Sequence, residues 1–248
     1  DAGRVVRVPG AGDSGAAGLG VGAGPGDVVV SIGTSGTVFA SSEVPTADAT
    51  GIIAGFADAL GGYLPLVCTL NASRVLDAMG AVLGVDYAEF DALALSVPDA
   101  GGLVFLPYLE GERTPNLPDA TASLHGVTRA NSTPARFARA AVEGMICGLA
   151  AGLTALQDAG VACRRVLLVG GGAQSTAVAQ IAAEVFGLPV VVPEPGEYVA
   201  AGAARQAAWT LTGELPQWDS GRSRTVEAGA KPSILQRFTD VRRAVHPL

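Results

Sequence analysis

Val28-Val29-Val30-Ser31-Ile32-Gly33-Thr34-Ser35-Gly36-Thr37-Val38-Phe39-Ala40 decides the fold. The β-branched run 28–32 reads as a strand, Gly33 to Gly36 as a turn, and 37–40 as the returning strand, so the stretch predicts a hairpin. Working outward, Gly61-Gly62 precedes a third strand over 63–67. Asn71 stands where it can cap a helix whose apolar positions include Val75, Leu76 and Met79. Further along, 102–107 is a short apolar segment followed by a polar, proline-containing loop over 108–123, a kind of loop that usually carries contacts. Ser132 or Thr133 before Pro134 signals the start of a long helix, with Phe137, Ala141, Met145, Gly148 and Gly152 on one face. Residues 166–169 read as a buried strand, Gly170-Gly171-Gly172-Ala173 as a tight turn, and 175–186 as a helix ended by Gly187. A strand over 190–192 and an Ala-rich helix over 198–211, with Gly202 inside it and a stop near Gly213, complete the pattern. The predicted class is α/β, in the order βββαβαβα with one inserted loop. Residues 1–213 read as one domain, and 214–248, without strong periodicity, as a C-terminal tail or docking segment.

Composition narrows the chemistry. The chain has 248 residues, about half of them apolar, enough to bury a core. Its net charge of −7 with 16 basic residues provides no electrostatic footprint for nucleic acid or an anionic membrane. Cys68, Cys147 and Cys163 lie far apart without a CxxC pair, which suits a reduced, cytoplasmic setting. Two histidines exclude a His-rich metal site, and no residue is assigned as a metal ligand. The apolar stretch 144–156 is too short for a bilayer and reads as a buried helix. The chain opens on Asp1 and enters a glycine-rich motif almost at once, as a piece of a longer protein would.

The glycine turns 33–36 and 170–173 each follow a hydrophobic strand, where glycine lets backbone N–H groups approach a phosphate or a ring. Either alone is equally a structural corner. A P-loop needs a lysine before Ser or Thr, and a protein kinase needs a strand lysine; the only lysine here is Lys231, in the aperiodic tail. Neither turn has the GxGxxG spacing of a dinucleotide site, and 33–37 misses the GxSxG elbow by its last residue. Among nucleotide folds, what remains is one that binds ATP through hydroxyls and amides; a serine hydrolase and an α/β domain with no ligand stay open at this point.

Gly10-Ala11-Gly12-Asp13, Ile32 to Gly36, Val169 to Ala173, and Glu197 to Ala204 occur in one order with Phe105-Leu106-Pro107-Tyr108-Leu109 and Gly111-Glu112-Arg113-Thr114-Pro115. Together they resemble the C-terminal domain of the FGGY carbohydrate kinases, and the 105–115 stretch resembles their xylulokinase branch. Arg136 departs from the pattern, standing where an acidic, amide or histidine side chain is usual; Ser14 stands where many members have Asn or Gln. The resemblance implies a ribonuclease H-like, actin-like ATPase domain, the second of two. It implies ATP-dependent phosphorylation of a sugar hydroxyl, D-xylulose to D-xylulose 5-phosphate in the complete protein, with ATP and Mg²⁺ required. By resemblance Asp13 is the catalytic base, while Thr34, Ser35, Gly36, Asn71, Gly171, Gly172, Ala173 and Thr176 bind the nucleotide. The implied partners are a small sugar and an N-terminal domain of the same protein, with no nucleic acid and no membrane; a homodimer is compatible. From local sequence alone, Asp13 reads as a cap on the amides of Gly15 or Ala16, Asn71 as a helix cap, and Glu110, Glu112 and Arg113 as a solvated loop. Two competing readings are a kinase of another sugar, polyol or aldonate in the same family and a non-catalytic ATP-binding switch of the actin-like superfamily.

Overall fold

The structure is a computed structural model that describes residues 10–218 and 221–247. A seven-stranded sheet organises it, in the order β3-β4-β2-β1-β7-β8-β9. β1 (Asp27–Ile32) turns back antiparallel on β2 (Gly36–Phe39), as the hairpin reading expects, with Val30 opposite Val38 and Ile32 opposite Gly36. β4 (Tyr63–Thr69) lies antiparallel beside β2, and β3 (Ala54–Ala57) forms the edge beyond it. On its other side β1 pairs in parallel with β7 (Arg165–Val169), which pairs in parallel with β8 (Val190–Pro193). Strands buried on both faces lose the polar alternation of a half-exposed strand, which is why 28–30 and 166–169 are unbroken apolar runs.

Each face of the sheet carries its own helical layer. Val28, Val30, Ile32, Val38 and Val67 join the larger core beneath α4 (Pro134–Asp158) and α5 (Thr176–Phe186); α2 (Ser73–Leu83) and α3 (Tyr87–Leu95) extend this layer. The central helix α4 begins as the sequence predicts, with Pro134 in its first turn and the Thr133 side chain accepting from the Arg136 N–H. Among the described residues, α4 is the helix long and apolar enough to cross a membrane, and most of its apolar window is buried within the fold. Two short strands, β5 (Val104–Leu106) and β6 (Ser123–His125), form a separate ladder and bracket the loop between them.

The opposite face carries α1 (Asp13–Val21) and α6 (Tyr198–Thr212) over Val29, Phe39, Leu64, Leu66, Leu167 and Val169. These helices touch backbone to backbone. A Cβ on Gly202 would sit 1.8 Å from the Ala16 carbonyl oxygen, and one on Gly20 would sit 1.9 Å from that of Tyr198. Only glycine allows this approach.

Two expectations are corrected. Asn71 does not cap α2: the N-cap residue is Ala72, without a side-chain cap bond. The segment 214–248 is not an aperiodic tail. It supplies β9 (Ser223–Val226), antiparallel to β8, and α7 (Pro232–Val245), which buries Ile234 and Phe238 in the larger core. Lys231 Nζ reaches Glu184 Oε1 at 3.1 Å, while Arg139 bridges Glu184 and Glu143. This buried charge network ties α4, α5 and the start of α7 together.

Candidate functional site

Two cavities open near the β1–β2 hairpin. The first, about 660 Å³, is lined by Ile32, Gly33 and Thr34 from the turn, Gly171, Gly172, Gln174 and Ser175 from the second glycine turn, Ser73 and Leu76 of α2, and Tyr87, Ala88 and Asp91 of α3. The fold brings the two turns together because β1 and β7 are parallel neighbours, with Ser31 opposite Val169, so both chains leave the sheet at the same end. Ligands of parallel α/β sheets collect at this end.

The first turn is fixed from beneath. Gly33 and Thr34 carbonyls accept from the N–H groups of Ser73 and Ala72 at 2.9 and 3.2 Å. Thr34 is exposed, and its own N–H and hydroxyl have no partner among the described residues. The glycines divide by role. Gly36 is buried, and a Cβ there would meet Leu149 Cδ2 at 2.6 Å and Thr69 Oγ1 at 2.7 Å, so packing demands it. Gly170, at φ +93°, and Gly172, whose Cβ would lie 2.3 Å from Ile32 Cγ2, are packing glycines too. Gly171 differs. It lines the cavity, and a Cβ there would meet nothing within 4 Å, leaving room that a bound group can take.

Five residues assigned to the nucleotide, the packing glycine Gly36 among them, lie outside this lining. Ser35 is exposed at the turn tip, and Ala173 is fully buried in the core. The Thr176 N–H donates to Asp91 Oδ2 at 2.7 Å and its side chain is exposed. Asn71 is only 2 % exposed, and its amide nitrogen is spent on the Gly111 carbonyl and Glu112 Oε2 at 2.8 and 2.9 Å, while its Oδ1 accepts from the Leu109 N–H. Asn71 is therefore a strut between the β4–α2 corner and the 108–122 loop.

Sequence reasoning missed the α3 wall. Asp91 accepts from Ser175 Oγ at 2.6 Å and from the Thr176 N–H, so a side chain neutralises the N-terminus of α5 from within. Tyr87 borders the same cavity and donates its hydroxyl to Asp77, which raises the tyrosine pKa. A signal was present: Asp86 and Glu89 form a reciprocal capping box that marks the start of α3.

The second cavity, about 440 Å³, lies on the α1 face of the sheet. Gly10, Gly12, Asp13, Ser14, Thr37, Phe56, Asp58, Leu64 and Cys68 are in its wall. Asp13 is the first residue of α1, exposed, and neither it nor the Gly12 cap makes a side-chain capping bond. The carboxylate is thus uncommitted, contrary to the cap reading. Asp58 is half committed, its Oδ1 accepting from the Leu60 and Gly62 N–H groups at 2.9 and 2.7 Å. Burial pushes the Cys68 thiol up in pKa, with the Arg113 charge pulling the other way. Among the described residues, no basic side chain lines either cavity.

Comparison with known proteins agrees with this layout. Residues 28–211 match the model of the FGGY family of carbohydrate kinases, C-terminal domain. The xylulose kinase of Streptomyces rubiginosus is 43 % identical over 96 % of this chain and 50 % of its own length, and that of Streptomyces coelicolor is 41 % identical over the same shares. The crystal structure of xylulose kinase from Bifidobacterium adolescentis superposes with a TM-score of 0.88 at 46 % identity, over 95 % of this chain and 47 % of that one. The chain spans about half the length of the curated relatives it matches. An α/β domain with paired glycine turns at one end of its sheet, matched by sequence and by superposition, belongs to the FGGY family of carbohydrate kinases, with the actin-like ATPase fold of its C-terminal domain.

Proposed function

We propose that the complete enzyme transfers the γ-phosphoryl group of ATP to a ketose hydroxyl, converting D-xylulose to D-xylulose 5-phosphate, and that this chain supplies its base and most of its nucleotide seat. The observation that carries the proposal is the free Asp13 carboxylate in the wall of the 440 Å³ cavity, on the sheet whose adjoining turns line the 660 Å³ one. Support comes from relatives named xylulose kinase at 41–43 % identity. Phosphoryl transfer needs the donor and acceptor held in line and charge balanced, with little covalent help. Asp13 takes the proton from the sugar hydroxyl as its oxygen bonds to phosphorus, and the β–γ bridging oxygen leaves on ADP. Thr34 donates its unpartnered N–H and hydroxyl to the phosphates. Gly171 and Gly172 lie along the adenosine, with Tyr87, Gln174 and Ser175 closing the seat.

Magnesium ion fits this site as a companion of the nucleotide. No cluster of three or more acidic, thiol or imidazole groups forms a cage among the described residues. Mg²⁺ is usually held by one or two carboxylates together with phosphates and water, and Asp58, whose Oδ2 is left free by its bonds to Leu60 and Gly62, is the carboxylate that would hold it, leaving Asp13 as the base. When bound, the ion neutralises charge on the phosphates. The sugar's remaining contacts, and closure of the cleft, fall to an N-terminal domain, and the cytoplasm suits such an enzyme. The chain alone is expected to bind nucleotide weakly and to phosphorylate no sugar.

The test is an ADP-release assay of the complete enzyme against a panel of ketoses, polyols and aldonates with Mg-ATP. D-Xylulose should give the highest kcat/KM. A higher value for a polyol or aldonate would reassign the substrate, and absence of turnover with every member would favour a nucleotide switch.

A further inference from the structure

We propose that Asp91 decides which way round a nucleotide lies in the 660 Å³ cavity: it closes the N-terminus of α5 to phosphate, so that the nucleoside takes that side and the phosphates go to the Thr34 turn. The proposal rests on the nucleotide reading above. A glycine-rich turn that enters a helix is ordinarily a phosphate site, because the first backbone N–H groups of the helix are unbonded and form the positive end of its dipole. The turn 170–173 leads into α5, a helix of 11 residues, in this way.

Here those donors are already taken. Asp91 Oδ2 accepts from the N–H groups of Thr176 and Ala177 at 2.7 and 3.4 Å, and Oδ1 accepts from Ser175 Oγ at 2.6 Å. Ser175 Oγ accepts in turn from the Val178 N–H at 3.0 Å. Ser175 is the N-cap of α5, and the other three are its first residues. The acid arrives from α3, more than 80 residues earlier in the chain. Its neighbour Phe90 is buried in the larger core, and the Asp86–Glu89 capping box fixes the start of that helix. Asp91 and Ser175 both line the cavity. An anion supplied by the protein thus occupies the place a phosphate would take.

Two consequences set the polarity. A phosphate beside Asp91 would meet a like charge and a helix start whose N–H groups are bonded elsewhere. The Gly33–Thr34 turn, on the wall of the same cavity, offers the opposite: Thr34 is exposed, and its N–H and hydroxyl have no partner among the described residues. A carboxylate has about four acceptor positions, and Asp91 uses three of them, two on Oδ2 and one on Oδ1. The position left on Oδ1 suits a hydroxyl donor such as those of a ribose, and a phosphate oxygen, which only accepts, cannot use it. Asp91 is a specificity residue and touches no reacting atom.

Adenosine and inorganic phosphate, titrated singly and together into the complete enzyme by calorimetry, test this for wild type, Asp91→Asn and Asp91→Ala. In wild type, saturating phosphate should leave the Kd for adenosine within about threefold, because the two occupy different sides of the cavity. In either variant the carboxylate charge is gone and the α5 donors are freed in whole or in part, so phosphate should raise the Kd for adenosine about tenfold or more by competition. A merely structural Asp91 would weaken adenosine binding in the variants without making it sensitive to phosphate. That result, or competition already present in wild type, would overturn the proposal, and the wild-type arm reads it even where a variant does not fold. Failure of the underlying reading looks different: wild type would then bind neither Mg-ATP nor adenosine, and both would fall. Where wild type binds Mg-ATP and the competition does not follow this pattern, the orientation alone is wrong.

Discussion

Gly202→Ala tests how the fold aims Asp13, the proposed base. The added methyl would lie 1.8 Å from the Ala16 carbonyl oxygen and 2.6 Å from its carbon, both backbone atoms of α1. Real Cβ contacts do not fall below 3.0 Å, so α1 and α6 must part by about 1.2 Å at that point. No flexible side chain can absorb the shift. Asp13 stands one turn before Ala16 on the same short helix, so the carboxylate moves with it. A displacement near 1 Å of a reacting group can cost about a hundredfold in rate. The clash itself costs about 1–3 kcal/mol, or about 2–4 °C of melting temperature per kcal/mol at this size. The expected outcome is a fall in kcat of about a hundredfold with the KM for ATP nearly unchanged, because the cavity proposed for adenosine lies on the other face of the sheet. Gly148→Ala is the control: it sits in α4 with nothing within 4 Å of the new methyl, and should leave activity intact. A coupled ADP assay and thermal melting of the complete enzyme read both quantities. Loss of stability with kcat preserved would refute the reasoning, since α1 would have yielded without carrying Asp13.

Other outcomes follow from the same geometry. Gly171→Ala should raise the KM for ATP about tenfold or more without changing the melting temperature, since its methyl meets no protein atom, whereas Gly172→Ala should melt earlier because its methyl would lie 2.3 Å from Ile32 Cγ2. Calorimetric titration with ATP and thermal scans separate the two. Deleting 214–248 should destabilise the protein by several kcal/mol: Ile234 and Phe238 are each worth about 1.5–3 kcal/mol of burial, and β9 and the Lys231–Glu184 pair go with them. An unchanged unfolding midpoint would return the segment to a dispensable tail.

The legible parts of this fold are those where one stretch of sequence carries its own reason. Residues 28–40 announce a hairpin because the strand is buried on both faces and its turn is all Gly, Thr and Ser. Pro134 and Thr133 announce α4 in the same way. By contrast, α1 has no place in the βββαβαβα order read from the sequence, because Gly15, Gly18 and Gly20 each disfavour a helix; the reason for Gly20 lies about 180 residues away, in the close passage of α6. The helix α7 is mostly polar, and its Ile234–Phe238 spacing has meaning only once β5 and α4 provide a surface. In the proposed site, the glycine turns that carry Thr34 and Gly171 are legible as local motifs, whereas Asp13 reads locally as a cap and enters only through the family resemblance. The α3 wall was not, because Asp91 meets Ser175 and Thr176 across more than 80 residues. Asn71 misled for the opposite reason: it has the chemistry of a cap or a ligand contact, but its partners Gly111 and Glu112 are about 40 residues on.

The central claim is that the exposed, unpartnered Asp13 removes the sugar proton. The direct measurement is single-turnover phosphoryl transfer to D-xylulose by the complete enzyme carrying Asp13→Asn, alongside calorimetric binding of Mg-ATP. Asp13 makes no capping bond in α1, so the variant should fold and bind nucleotide like wild type, while transfer falls by about 10²–10⁴-fold. Transfer at the wild-type rate with nucleotide binding intact would contradict the account.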